Sequence, residues 1–226
     1  MTRTALFTLL LLLGTAALHA QTARQWRDSL TALNRLIDNQ PQSTDLRLKK
    51  AAVNIELEQW EYAIEEYGRV LGIDAVNLAA LYYRAYAYTH IRQYALAKHD
   101  YESFLQLAPK NMEARLGLAK VNELMGRKTD ALDEYNQLVH LFPDSAVCYV
   151  ARGVYEESLG QTEVALFDWD EAILRQPLNA DYVATKVNLL LKLQRKNEAP
   201  EELKKALQRG IPRGVLKEWI DKCQQK

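Results

Sequence analysis

Three histidines, two cysteines and a few adjacent glutamates are the side chains beyond residue 20 with the reach to do chemistry. The imidazoles are His90, His99 and His140. A zinc hydrolase needs two of them four residues apart around a glutamate, so that both rings leave one helix face and meet on one ion. None has that spacing, and the chain holds neither a glycine-rich phosphate loop nor a nucleophile elbow. Glu65-Glu66, Glu156-Glu157 and Glu201-Glu202 are the nearest thing to paired carboxylates. Neighbouring residues on a helix point in different directions, so these pairs read as solvated faces, not as an acid and a base sharing a substrate. The expectation is a protein that is not an enzyme, with no catalytic residue, metal ligand or cofactor.

The elements that carry these residues are helical by composition. Nine glycines and six prolines in 226 residues are few, and β-branched clusters are scarce, which favours helix over sheet. With 48% hydrophobic and 26% charged residues the chain has the material for a folded core. Basic and acidic residues balance at 29 each, without a run of Lys or Arg, so neither nucleic acid nor an anionic membrane surface is an expected partner. The first 20 residues stand apart. Arg3 is followed by the apolar run Ala5 to Leu13 and then by small residues from Gly14 to Ala17 and at Ala20. That order is the order of a secretory signal peptide, residues 1–20, with cleavage after Ala20 or, second, after Ala17. The apolar run is short for an uncleaved anchor, which needs about 20 residues, and no cysteine follows it for a lipid. The expected product is periplasmic or secreted and soluble, meeting a membrane only through a partner.

A period of 34 residues organises the remainder. Ala63/Tyr67, Ala97/Tyr101, Ala131/Tyr135, Ala165/Trp169 and the weaker Ala199/Leu203 each pair a small residue with a large one a helical turn later. Pro109, Pro143 and Pro177 follow at a fixed distance and mark helix ends, because proline has no amide hydrogen to extend the ladder. Ser43, Asn77, Asn111, Ser145 and Asn179 keep the same step. All are N-cap types whose side-chain oxygen satisfies a free amide of the first turn. Two independent residue classes in one register make the repeat secure.

The pattern resembles the tetratricopeptide repeat, a 34-residue pair of antiparallel helices. Ala51, Ala85, Ala119 and Gly153 match its small first-helix residue, with Val187 a departure, and the alanines, aromatics and prolines above match its second-helix positions. Arg47 and Arg115 stand where the family often has tryptophan, and Lys50, Arg84, Arg152 and Lys186 where it prefers leucine. Their stems are expected to lie along the packing seam. The resemblance implies an all-α, right-handed superhelical solenoid of five helix–turn–helix repeats at 44–77, 78–111, 112–145, 146–179 and 180–213. Residues 24–43 then supply an N-terminal half-repeat helix and 213–224 a C-terminal capping helix, all in one domain spanning 24–226. Cys148 and Cys223 fall two repeats apart, and helix layers are about 8–10 Å thick, so no disulfide is expected between them.

In the resembled family first helices line a concave groove that takes extended peptides or partner helices. The matching positions are Leu48, Tyr82, Tyr83, Tyr86, His90, Leu116, Lys120, Val150, Val154 and Asn188. The segment Tyr82-Tyr83-Arg84-Ala85-Tyr86-Ala87-Tyr88 is the most unusual composition in the chain, and tyrosine suits contact surfaces because it is rigid and amphipathic. Co-chaperone members grip a C-terminal carboxylate with Lys, Asn and Arg. The corresponding residues here are Leu48, Ala52, Tyr83, Glu113 and Gly117, and none matches. The expected function is an exported interaction scaffold that binds a protein or peptide, not a small-molecule substrate, in an apolar, tyrosine-rich groove. A periplasmic chaperone or assembly factor is the alternative, and an enzyme built on the repeat scaffold a more distant one.

Overall fold

A computed structural model describes residues 23–224, and these are helices and short turns. The signal-peptide expectation for residues 1–20 lies outside the described residues. The helices are α1 (23–39), α2 (Thr44–Glu56), α3 (Trp60–Ile73), α4 (Leu78–His90), α5 (Tyr94–Leu107) and α6 (Met112–Leu124). They continue as α7 (Lys128–Leu141), α8 (Ala146–Ser158), α9 (Thr162–Arg175), α10 (Ala180–Lys192), α11 (Glu198–Arg209) and α12 (Lys217–Gln224). The chain divides into two compact units after Met125, so α1–α6 form the first and α7–α12 the second. Among the described residues there is no strand, and no helix is long and apolar enough to cross a membrane.

Helix ends follow from local chemistry. Asn77 and Asn111 accept hydrogen bonds from Ala80 N at 3.0 Å and Ala114 N at 2.8 Å, opening α4 and α6. Ser43 and Asn179 cap α2 and α10 in the same way. Ser145 holds the cap position of α8, but its side chain is engaged by the Cys148 thiol instead. α5, α7 and α9 stop just before Pro109, Pro143 and Pro177. In the turns that follow α2, α4, α6, α8 and α10 one residue takes the left-handed conformation: Glu58, Arg92, Gly126, Gly160 and Gln194, again 34 apart. Only two of the five are glycine, although φ above zero disfavours any residue with a Cβ.

Within each unit, consecutive helices pack in pairs: α2 on α3 and α4 on α5 in the first, α8 on α9 and α10 on α11 in the second. Ala63, Ala97, Ala131, Ala165 and Ala199 are fully buried, as are Ala51, Ala85 and Ala119. A small side chain lets two helix backbones approach, and large neighbours fill the space beside the crossing. At Gly153 a Cβ would stand 3.0 Å from Asp168 Cβ, so the missing side chain lets α8 lie close against α9 there. Tyr67, Tyr101, Tyr135, Trp169 and Leu203 are buried one turn after the alanines. Each apolar side chain so enclosed contributes roughly 1.5–3 kcal/mol.

The two ends differ. α1 buries Ile37 and half-buries Trp26, Leu30 and Leu33. Expected from 213, the last helix begins at Lys217, because Gly210 ends α11 in the left-handed region and a turn closed by Val215 N donating to Pro212 O intervenes. Ile211 and Leu216 anchor that turn in the core of the second unit. No disulfide joins Cys148 to Cys223.

Candidate partner-binding site

The buried side of α4 is made by Ala80, Leu81, Ala85 and Ala87. Tyr82, Tyr86 and His90 follow one another at four-residue steps on another side, with Tyr83 beside them. Tyr83 is 46% and Tyr86 37% exposed, whereas Tyr82 is half-buried. The rings form two clusters. Near the start of α4, Tyr82 meets Tyr83 edge-on at 5.1 Å between centroids, Tyr101 at 5.8 Å and Phe104 at 6.0 Å, and Tyr83 stacks on Tyr67 at 6.1 Å. Near its end, His90 stacks on Trp60 at 4.0 Å with planes 7° apart, and Tyr86 packs edge-on against both. Such pairs add about 0.5–1.5 kcal/mol beyond area burial and hold the rings in place.

The first cluster surrounds a recess of about 300 Å³ lined by Leu78, Ala79, Tyr82, Tyr83, Phe104, Asn111 and Glu113. Gly117 helps to shape it. A Cβ there would lie 2.4 Å from Tyr101 Cζ, so glycine lets the Tyr101 ring fit beside α6 and support Tyr82. Burial raises the pKa of Tyr82, and the nearby Tyr83, Glu113 and Tyr86 add to the effect by opposing a phenolate. Tyr82 therefore stays a neutral hydroxyl-bearing ring at physiological pH.

The other expected contact residues are distributed over both units. In the first, Leu48 packs half-buried on the Ala63–Tyr67–Val70 cluster. Leu116 is half-buried, and exposed Lys120 pairs with Glu123 at 2.7 Å. In the second, Val150 packs against the core, Val154 is 53% exposed, and Asn188 Oδ1 accepts a hydrogen bond of 3.1 Å from Trp219 Nε1 of α12. The structure thus brings together Tyr82, Tyr83, Tyr86 and His90. Trp60 and Phe104 complete the aromatic face and were missed in the sequence. Trp60 could have been found, since the start of α3 must lie beside the end of α4 in an antiparallel pair.

The adjacent glutamates require a correction. They are not simply solvated: Glu66, Glu156 and Glu202 are only 3–4% exposed. Lys50 Nζ meets Glu66 Oε1 at 2.9 Å, and Lys186 Nζ meets Glu202 Oε2 at 2.8 Å. Arg84 grips Asp100 through Nε and Nη2 at 2.7 and 2.8 Å, and Arg152 grips Asp168 at 2.9 and 2.7 Å. The cations that replace the family's leucine therefore do more than lay down their stems. Each pairs with a carboxylate 16 residues on, across its own hairpin. Burial works against ionisation of Glu66 and Glu202, but hydrogen bonds and charge from Lys50 with Arg47, and from Lys186 with Arg209, override it and hold both pKa values below the usual range. The signal was present as acids at 66, 100, 168 and 202, in the register of the cations. In the third copy Leu118 occupies the cation's position and is buried among apolar side chains.

Among the described residues no three His, Cys, Asp or Glu side chains are grouped to hold a metal ion. What the geometry offers is a fixed aromatic surface with one acidic recess. A tetratricopeptide repeat family model matches residues 15–77 and 84–146, more than half of the chain. Solved structures share the fold at low identity. A tetratricopeptide repeat protein from Parabacteroides merdae is 21% identical, with 91% of this chain and 80% of that one covered and a TM-score of 0.62. MamA from Desulfovibrio magneticus is 15% identical over 73% of this chain and 96% of that one, with a TM-score of 0.64. YrrB, a tetratricopeptide repeat protein with an unusual peptide-binding site, is 18% identical over 84% and 98%, with a TM-score of 0.58. The chain described here belongs to the tetratricopeptide repeat family.

Proposed function

We propose that this chain is an exported interaction scaffold, and that the aromatic face of α4 in the first unit holds a peptide or helix of a partner protein. The observation that carries the reading is the partial exposure of Tyr83 and Tyr86 on rings whose neighbours already fix them. A ring that is held before binding loses little entropy on contact, and it offers both an apolar body and a hydroxyl. YrrB, which shares the fold, has a peptide-binding site, and that likeness supports a peptide or helix as the ligand. The apolar run at Ala5 to Leu13 after Arg3 supports export. The reading assigns the chain no reaction, cofactor, nucleic acid or small-molecule substrate.

Affinity capture from the extracytoplasmic fraction, with wild type against a Tyr82→Ala/Tyr86→Ala double variant, tests this. One stoichiometric partner lost from the variant, with helix content unchanged by circular dichroism, is the expected result. An unchanged partner set on a folded variant would remove the α4 face from the proposal. Suppressed aggregation of several unrelated clients in place of one partner would favour the chaperone reading. Mass spectrometry of the captured chain reads export separately, as a mature form that starts after Ala17 or Ala20.

A further inference from the structure

The recess at the start of α4 has a charge asymmetry that an apolar groove does not need. Its lining carries three aromatic rings, one carboxylate and no cation. The acid is Glu113, exposed in the first turn of α6, and it forms no ion pair with another described residue. Several other acids of the first unit, the buried ones included, are paired with cations. Glu66 is held by Lys50 and Arg47, Asp100 by Arg84, and Glu65 by Arg69. Glu113 is a solvent-exposed negative charge, not committed to a cation, at the rim of a recess lined by three aromatic rings. A cation over an aromatic ring gains about 0.5–1 kcal/mol where exposed and about 2 kcal/mol where desolvated. A carboxylate beside the ring adds a charge-assisted hydrogen bond.

We propose that the recess formed by Tyr82, Tyr83, Phe104 and Glu113 is a receptor for an arginine side chain of the partner segment. A guanidinium suits it better than an ammonium. It is planar and weakly hydrated, so it can stack on a tyrosine face while its edge donates to Glu113. A recess of about 300 Å³ has room for that group together with the apolar stem that leads to it. Tyr82 is held by Tyr101 and Phe104, and Gly117 leaves space for Tyr101, so the box is formed before the ligand arrives. The inference rests on the α4 face being the partner-binding surface and adds the ligand chemistry: an apolar segment with one arginine anchor.

The test titrates the full chain with three blocked amino acids: N-acetyl-arginine methylamide, its uncharged isostere N-acetyl-citrulline methylamide, and N-acetyl-leucine methylamide. Aromatic ring signals of Tyr82, Tyr83 and Phe104 are followed by NMR at low salt. The expected result is saturable shifts with the arginine probe and affinity lower by about three- to fivefold for citrulline. Glu113→Gln should weaken the arginine probe by a similar factor and leave the leucine probe unaffected, and added salt should act in the same direction. Equal binding of arginine and citrulline, or no effect of Glu113→Gln, overturns the arginine receptor. If the leucine probe still shifts the same rings, the apolar face survives that result. No shift with any of the three overturns both.

Discussion

The second and fourth hairpins are built on the same guanidinium–carboxylate fork, and they part company at the residue four places after the arginine. In the second, Arg84 holds Asp100 and the next residue on that face is Tyr88, whose ring centre is 5.8 Å from the guanidinium. In the fourth, Arg152 holds Asp168 and Glu156 stands in the place of Tyr88, 3.8 Å from Arg152. One cation cannot neutralise two buried acids. Burial and the Asp168 carboxylate push the Glu156 pKa up to about 7, against the partial help of Arg152. A single position, changed from ring to carboxyl on the same backbone, turns a permanently satisfied pair into a titrating triad. The charge that an inward-facing helix position can tolerate is decided by how many counter-ions its neighbours already hold.

Removing the acid of each fork is the harshest test of this contrast. Asp100→Ala leaves Arg84 without its carboxylate in the seam and should cost about 3–5 kcal/mol of local stability. Asp168→Ala should cost clearly less, because Glu156 can ionise and take over Arg152. Hydrogen exchange resolved to α4/α5 and α8/α9 reads each hairpin separately. Equal losses in the two would mean that Glu156 is no reserve counter-ion.

The pH dependence sharpens the same point. A carboxyl whose pKa is raised in the folded state adds stability that is fully present below the ordinary carboxylate pKa, declines as pH rises, and is gone above about 7. Protection of α8 and α9 should therefore fall between about pH 5 and pH 8, while α4 and α5 stay level. Glu156→Gln should flatten the slope and stabilise the fourth hairpin at pH 8 by on the order of 1–3 kcal/mol. A slope that persists in the Gln variant assigns the titration to another group.

The smallest effect separates the hairpins at their turns. Arg92 sits at φ 59° and its counterpart Gly160 at φ 76°. Arg92→Gly should raise the melting temperature through relief of about 1 kcal/mol of backbone strain, and Gly160→Ala should lower it by a comparable amount. If Arg92→Gly destabilises, the arginine side chain contributes contacts that outweigh its backbone.

Much of this architecture was legible before any coordinates. Ala97 with Tyr101, the caps Asn77 and Asn111, and the stops before Pro109 and Pro143 are properties of a few consecutive residues. The candidate site was legible only in part. Tyr82, Tyr83, Tyr86 and His90 stood out by composition, but Phe104 and Trp60 reach them from other helices. Asn188, expected to face a partner, is engaged by Trp219 of α12 through a contact 31 residues away in sequence. Which member of Glu65-Glu66 turns inward depends on where Lys50 and Arg47 lie on the neighbouring helix.

The sequence by itself determined the period, the caps and proline stops of the repeat helices, and the small-against-large crossings. Those follow from caps, missing amide hydrogens and the 3.6-residue turn, all of which act within one or two turns of chain. Tertiary structure alone decided which glutamates are buried, which tyrosines keep an open face and why the Glu156 pKa is raised while that of Glu66 is lowered. Solvent exclusion and charge pairing depend on atoms from separate helices meeting in space, and no local rule records how many counter-ions are waiting there.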